Sequence, residues 1–125
     1  MARQVPLGVL ISGNGSNLQA IIDAIEKKHL HAEVRVVISN REDAHGLVRA
    51  QRHGIPTEVI DHRGYPTREA FDQKVIERLR DRQVELVILA GFMRLLSADF
   101  VKAFSNRIMN IHPALLPAFP GLHVQ

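Results

Sequence analysis

Short apolar runs alternate with longer amphipathic stretches along the chain, and this alternation constrains the fold more than any other feature of the sequence. The runs that predict strands are residues 5–11, 34–39, 55–60, 86–90 and 107–111. Four amphipathic stretches predict helices. The first begins at residue 16, the second covers residues 44–53, the third begins after residue 67 and the fourth covers residues 97–104. Parallel strands need crossover connections of this kind, so the sequence predicts an α/β fold with a mostly parallel sheet and helices on both faces.

The first helix has the strongest start signal. A turn-rich segment, residues 12–15, follows the first strand, and Ser16 stands at the position of an N-cap. Gln19, three residues later, completes the pattern of a capping box, in which two side chains satisfy N–H groups of the first turn. Leu18 and Ile21 continue the apolar face at helical spacing. We therefore expect a helix capped by the Ser16 hydroxyl.

Two later helices also carry boundary signals. Gly54 follows the second helix at a position where a left-handed residue costs little. Thr67 precedes the third helix as an N-cap, and Glu69 lies in its first turn, where the helix dipole favours a negative charge. The inner face of this helix is predicted to consist of Phe71, Val75 and Leu79.

Composition excludes several classes of protein. The length of 125 residues fits a single domain. The chain has no Cys, which excludes a disulfide framework, a thiolate nucleophile and a Cys-built metal site, and favours a cytoplasmic location. No histidine pair has metal-ligand spacing, so we expect no metal. No apolar run approaches the roughly 20 residues of a membrane span, and we expect no export signal.

The charge pattern favours a small ligand over a nucleic acid. The net charge is +3, with 16 basic and 13 acidic side chains interspersed along the chain. One Tyr and no Trp leave little aromatic surface on which bases could stack. We therefore expect a small anionic partner, and neither a nucleic acid nor a membrane.

Three segments fall at the carboxyl ends of predicted strands, where ligands bind in open parallel sheets. They are GNGSN after the first strand, GFMRLL after the fourth and NIHPALLPAFPG at the fifth. The GNGSN loop (residues 13–17) joins a strand to a helix N-terminus, whose free N–H groups and dipole suit a phosphate. It is not a dinucleotide fingerprint, because Leu18 stands where the third Gly belongs. A tight turn without a ligand remains the alternative.

Asn110 and His112 lie two residues apart on the last predicted strand, so their side chains share one face. An amide can donate to a carbonyl oxygen as negative charge develops, and an imidazolium can stabilise that charge or protonate a leaving nitrogen. The pair therefore suits transfer of an acyl group to an amine. A turn-capping Asn beside a structural His is the alternative.

The GFMRLL segment is interpreted as a mobile apolar loop that lines a pocket for a flat heteroaromatic ligand, with Met93 as an adaptable contact. The alternative is that Phe92, Leu95 and Leu96 are core residues. Arg68, near the start of the third helix, is a candidate contact for an anionic substrate group or an ordinary exposed side chain.

Four motifs that occur in order along the chain are together far more specific than any one of them alone. LISGNGSNLQAIIDA, VVISNREDAHGLVRA, VILAGFMRLLS and NIHPALLPAFPGLH together resemble the phosphoribosylglycinamide formyltransferase family of purine biosynthesis, through essentially all 125 residues. The resemblance implies a Rossmann-like formyltransferase fold. It also implies transfer of the formyl group of 10-formyltetrahydrofolate, the co-substrate, to the amine of glycinamide ribonucleotide.

The resemblance also implies residue roles. The nucleotide phosphate would be held by Gly15, Ser16 and Asn17. The folate would be contacted by Arg68, Met93, Arg94, Leu95, Leu96 and Asn110. Asn110 would bind the formyl oxygen and His112 would be the catalytic acid. The oligomeric state is left open.

Members of the family continue past the FPGLH segment, and the resemblance implies that this further part supplies an acidic partner of the catalytic His. A nearby carboxylate would keep that His cationic. We therefore expect residues 1–125 to form a single N-terminal nucleotide-binding and formyltransferase domain without its C-terminal part, and to have weak or no activity unless the remainder is supplied.

Three other functions remain open. A non-catalytic nucleotide-binding fragment would need only the GNGSN loop. A sister formyltetrahydrofolate-using enzyme, such as the deformylase or methionyl-tRNA formyltransferase, would use the same Asn-x-His pair with a different acceptor. An NADP-dependent Rossmann enzyme would place Arg41 on the 2′-phosphate.

Overall fold

The fold is known from a computed structural model, which describes residues 3–111. Strands and helices alternate along this part of the chain, which confirms the predicted α/β class. The elements are β1 (Val5–Ile11), α1 (Ser16–Glu26), β2 (Ala32–Ser39), α2 (His45–Arg52), β3 (Thr57–Val59), a 3₁₀ turn (His62–Gly64), α3 (Arg68–Asp81), β4 (Leu86–Ala90), α4 (Ala98–Ala103) and β5 (Ile108–Ile111). None of these helices is long and apolar enough to cross a membrane.

The strands form one sheet in the order β3-β2-β1-β4-β5. Every pairing between these strands is parallel, in agreement with the predicted sheet. From β1 the chain first builds the sheet on one side through β2 and β3, and then on the other side through β4 and β5. Strand order therefore reverses between β1 and β4, and a crevice opens at the carboxyl ends of these strands.

The sheet separates two apolar cores, because successive strand residues point to opposite faces. On one face Val9 and Ile11 of β1 pack with Leu18 and Ile21 of α1. On the other face Leu10 joins a cluster with α3 and α4, in which Phe71, Val75, Leu79, Phe100 and Phe104 are buried. Helices thus cover both faces, and the predicted inner face of α3 is confirmed.

Most predicted boundaries agree with the structure to within one or two residues, and β1 and β4 have the predicted bounds. The third strand is shorter than predicted, with only residues 57–59 paired. Ile55 is instead part of the turn that ends α2, because its N–H donates to the carbonyl of Ala50 at 3.0 Å. Gly54 has a φ of 70°, as expected after a helix.

The predicted capping box at the start of α1 is wrong. Ser16 is already the first helical residue, and the N-cap is Gly15, with a φ of 84° and no side-chain capping bond. The Gln19 side chain donates to Asp23 at 3.0 Å instead of turning back to the N-cap. A left-handed glycine at the cap moves the start of the helix, so the Ser16 hydroxyl cannot reach the N–H groups that a capping serine would serve.

The predicted cap of α3 is confirmed, since the Thr67 hydroxyl accepts a hydrogen bond from the Ala70 N–H at 3.0 Å.

Replacing Thr67 with Ala should lower the free energy of unfolding by about 1 kcal/mol, because the Ala70 N–H loses its acceptor. Urea unfolding measures the change. Thr67→Ser keeps the hydroxyl and should stay close to the parent chain; equal losses in the two variants would mean that the cap contributes nothing.

Candidate active-site cleft

A cleft of about 570 Å³ opens at the carboxyl edge of the sheet, where the strand order reverses. One wall consists of residues 12–17, which include the GNGSN loop. The opposite side consists of Asn40, Arg41 and His62 together with Ala90, Gly91, Met93 and Arg94. The structure thus brings together two of the three segments that the sequence singled out.

A cavity of the same volume lies at the other edge of the sheet, near the amino ends of the strands. Two pairs of its polar side chains already contact each other, His53 with Glu26 at 3.0 Å and Arg35 with Glu33 at 2.9 Å. The carboxyl-edge cleft instead contains helix N–H groups that have no acceptor among residues 3–111. It is therefore the better candidate for a ligand site.

The GNGSN loop presents backbone donors to this cleft. The first bond of α1 runs from the Gln19 N–H to the carbonyl of Gly15 at 2.8 Å. The N–H groups of Ser16, Asn17 and Leu18 precede that bond, and within residues 3–111 no acceptor satisfies them. Together with the positive end of the helix dipole, they have the chemistry that suits an anion.

Asn17 connects the GNGSN loop to the end of β5. The residue is only 5% exposed, and its Nδ2 donates to the carbonyl of Ile111 at 3.4 Å. Its Oδ1 is buried and has no partner among residues 3–111. Because an amide oxygen only accepts hydrogen bonds, it repels an ionised phosphate. An anion in the cleft would therefore meet the backbone N–H of Asn17.

Asn110 is exposed near the end of β5, opposite Leu89 of β4 in the parallel register. It does not line the cleft, but it directly precedes Ile111, whose carbonyl Asn17 holds. His112 follows at once in the sequence and lies outside the described residues, as does the FPGLH segment. The sheet thus brings the start of the Asn-x-His motif to the same edge as the GNGSN loop.

The β4–α4 loop (residues 91–97) is anchored at both ends. The Met93 N–H donates to the Ser12 hydroxyl at 2.8 Å, and this hydroxyl in turn donates to Asn40 Oδ1 at 2.6 Å. At the far end the Ser97 N–H donates to the carboxylate of Asp72 at 2.7 Å. These bonds fix the ends of the loop that the sequence suggested as mobile.

Between its anchors the β4–α4 loop exposes apolar side chains. Met93 is 81% exposed and Leu95 is 75% exposed, whereas Phe92 and Leu96 pack against the core beneath α3. The core alternative therefore holds for Phe92 and Leu96 and is wrong for Leu95, while the pocket for a flat ligand stays a prediction. Of this exposed pair, Met93 lines the cleft.

The two arginines expected to contact the folate lie in different places. The Arg94 guanidinium lies over the Phe71 ring, 5.3 Å from its centroid, and its Nε is buried without a partner among residues 3–111. Arg94 lines the cleft. Arg68 is exposed at the first position of α3 and does not line it.

Two acidic residues near the cleft have depressed pKa values. Arg63 donates side-chain and backbone hydrogen bonds to Asp61, which hold the pKa of that carboxyl far below its usual range. A hydrogen bond and the charge of Arg41 likewise lower the pKa of Asp43. Both carboxylates therefore stay ionised at neutral pH and are unsuited to take up a proton there. In the part of the chain that the structure describes, no three side chains form a metal-binding group.

Sequence reasoning missed Ser12, Asn40 and Asp72. Ser12 and Asn40 directly follow apolar strands, so the carboxyl-edge rule that selected GNGSN also applies to them. Asp72 offers no such signal, because a single acidic residue on a helix is usually exposed.

The open parallel sheet, with a cleft at its carboxyl edge and a loop that leads into an uncapped helix, defines a Rossmann-like α/β protein. The formyl transferase family model matches residues 7–125, and the chain belongs to this family. The resemblance inferred from the four motifs is confirmed.

Known proteins of similar sequence agree with membership of the formyl transferase family. Phosphoribosylglycinamide formyltransferase of Escherichia coli (strain K12) is 50% identical over 115 residues, which are 92% of this chain and 54% of that protein. Trifunctional purine biosynthetic protein adenosine-3 of Drosophila pseudoobscura pseudoobscura is 52% identical over 121 residues, 95% of this chain and 9% of that protein. The chain thus spans about half the length of the first relative and about a tenth of the second.

The fold is shared with solved structures. Glycinamide ribonucleotide transformylase 1 from Symbiobacterium toebii has a TM-score of 0.87 and 52% identity, and the match covers 98% of this chain and 57% of that one. Phosphoribosylglycinamide formyltransferase from Coxiella burnetii, in complex with CHES, has a TM-score of 0.84 and 50% identity, covering 89% of this chain and 52% of that one. The predicted Rossmann-like formyltransferase fold is confirmed.

Gly15 cannot be replaced without moving the loop. A Cβ at this position would lie 2.4 Å from the Cα of Gly46, and a left-handed φ costs residues with a Cβ roughly 1–2 kcal/mol. Gly15→Ala should lower the free energy of unfolding by at least this amount. Gly13→Ala is the matched control, because a Cβ there meets nothing within 4 Å. Equal unfolding curves for the two variants would contradict the packing described here.

Ser12→Ala should loosen the β4–α4 loop. The substitution removes the acceptor of the Met93 N–H and the donor to Asn40, which should lower the free energy of unfolding by about 1–3 kcal/mol. Hydrogen exchange of the Met93 amide should accelerate, since its protection depends on that hydroxyl. Ser105→Ala, at an exposed position, is the control; unchanged exchange at Met93 in Ser12→Ala would exclude the anchor.

Proposed function

We propose that this chain provides the nucleotide-binding and formyl-transfer part of a phosphoribosylglycinamide formyltransferase. The reaction transfers the formyl group of 10-formyltetrahydrofolate to the amine of glycinamide ribonucleotide in purine biosynthesis. The observation that best supports the proposal is the hydrogen bond from Asn17 to the carbonyl of Ile111. It joins an anion site on α1 to the strand end that bears Asn110, so one substrate can reach both.

The nucleotide phosphate binds at the GNGSN loop. The N–H groups of Gly15, Ser16 and Asn17 donate to its oxygens, and the α1 dipole favours its charge. The Oδ1 of Asn17 stays turned to the protein, because it would repel the phosphate. The ribose and the glycinamide amine then extend from the loop toward the end of β5.

The folate binds against the β4–α4 loop. Met93 and Leu95 supply exposed apolar surface for a flat ring, with Leu96 packed behind them. Arg94, held over Phe71, supplies a cation beside this surface. Arg68, at the start of α3, contacts the anionic end of the folate.

The transfer proceeds by direct attack of the amine on the formyl carbon. A bond forms between the glycinamide nitrogen and this carbon, and the carbonyl oxygen becomes negative in a tetrahedral intermediate. The Asn110 amide donates to that oxygen. The bond from the carbon to the folate nitrogen then breaks, His112 protonates the leaving nitrogen, and the attacking nitrogen loses its extra proton. The reaction needs no metal.

Residues 1–125 form a single N-terminal domain of this enzyme. The family match runs through residue 125, while the E. coli relative is nearly twice as long as the matched region. The acidic partner of His112 belongs to the part of the relatives that this chain does not match. The enzyme acts in the cytoplasm on small molecules, without a nucleic acid or membrane partner.

Calorimetry and a turnover assay test this function together. Glycinamide ribonucleotide should bind the full chain, and formylated nucleotide should appear in quantity only when a polypeptide matching the second half of the E. coli relative is added. Binding without turnover under both conditions would favour a nucleotide-binding module. Formate as the product, formed without the nucleotide, would favour a deformylase.

Substitutions at the Asn-x-His motif test the chemistry in the supplemented assay. Asn110→Ala should lower turnover by about 10²–10³-fold, since the developing oxyanion loses a donor. His112→Ala should lower it by about 10²–10⁴-fold, since the leaving nitrogen loses its acid. Ser105→Ala, at an exposed position before β5, is the control. Full turnover in His112→Ala would remove that residue from the mechanism.

A further inference from the structure

We infer that Arg49 of α2 is a positioning residue that holds the GNGSN loop in its phosphate-binding conformation. The inference rests on the proposed function of that loop and adds a residue from outside the cleft. Arg49 does not line the cleft, so its guanidinium acts on a phosphate through the loop that it holds and through the field of its charge, without touching it.

The guanidinium of Arg49 forms a fork on a single loop residue. Its Nε donates to the backbone carbonyl of Asn14 at 2.9 Å, and its Nη2 donates to the side-chain Oδ1 of the same residue at 2.8 Å. A third, longer bond of 3.4 Å runs from Nη1 to Gln19 Oε1 on α1. The planar guanidinium thus fixes both the backbone and the side chain of Asn14, which a single-point donor cannot do.

A second contact from α2 acts on the neighbouring peptide. The Gly46 N–H donates to the carbonyl of Gly13 at 3.0 Å. Two successive loop carbonyls, those of Gly13 and Asn14, are therefore bound to α2. In a planar trans peptide the N–H points away from the carbonyl of the same unit. Binding the Asn14 carbonyl therefore turns the Gly15 N–H away from α2.

The charge of Arg49 is not neutralised by a carboxylate within residues 3–111. Arg41 and Arg63, on the far side of the cleft, each form an ion pair with an aspartate. The half-buried Arg49 cation thus remains directed at the loop, where it favours an anion. The hydrogen bonds of Arg49 and its positive charge therefore both favour an anion at the GNGSN loop.

The experiment measures binding of glycinamide ribonucleotide to the full chain by calorimetry. Arg49→Met should raise the dissociation constant at least about tenfold, which corresponds to the loss of roughly one charge-assisted hydrogen bond. Arg49→Lys keeps the charge but loses the fork, and should fall between Arg49→Met and the parent chain. Arg52→Met removes a charge from the same helix and should change binding less than about twofold.

Two further measurements separate positioning from general destabilisation. The amide resonance of Gly15 should shift in Arg49→Met and Arg49→Lys but not in Arg52→Met, because the Asn14 carbonyl is released. Binding of 10-formyltetrahydrofolate should not change, since the β4–α4 loop has its own anchors. If Arg49→Met does not fold, Asn14→Ala removes the side-chain half of the fork and should weaken binding of the nucleotide in the same way.

Distinct outcomes overturn distinct claims. If the parent chain binds the nucleotide and Arg49→Met binds it as Arg52→Met does, Arg49 has no positioning role while the proposed function stands. Equal weakening of nucleotide and folate binding would also overturn the role, since it would indicate loss of the fold as a whole. A parent chain that does not bind the nucleotide would overturn the proposed function, and the inference with it.

Discussion

The pairing of β1 with both β2 and β4 is the constraint on which the rest of the structure depends. Residues 6–11 of β1 are buried, because each face of the strand packs against a different pair of helices. The chain leaves β1 toward one side of the sheet and returns on the other side at β4. This reversal separates the first turn of α1 from the β4–α4 loop, and the space between them is the cleft.

A few buried polar bonds then determine the shape of the cleft. Ser12 with Asn40 joins the ends of two strands, Asn17 holds β5, and Asp72 holds the end of the β4–α4 loop through Ser97. A buried polar group without a partner is costly, so each bond favours a single arrangement of the segments it joins. The apolar core fixes where the strands lie, and these bonds fix how their ends are oriented.

The sequence predicted the fold more completely than the cleft, for a physical reason. The strands, the α3 cap and the buried faces of the helices follow from local periodicity and capping chemistry. A short window of sequence is enough to show both. The cleft depends on contacts between distant residues. Arg49 meets Asn14 across 35 positions, and Asn17 meets Ile111 across 94. No local pattern encodes such pairs, although the family motifs did point to the segments that carry them.

The capping prediction that failed did so at the proposed ligand site. Side-chain hydroxyls cap α3 and α4, from Thr67 and Ser97, whereas α1 begins after a glycine, and its first N–H groups have no acceptor in the described part of the chain. An N-cap side chain typically stabilises a helix by about 1 kcal/mol, and α1 lacks that contribution. A capping hydroxyl would occupy the donors that a phosphate needs. The open start of α1 is therefore a local loss of stability that leaves donors free for the proposed phosphate, and departures of this kind are expected where a fold serves a function.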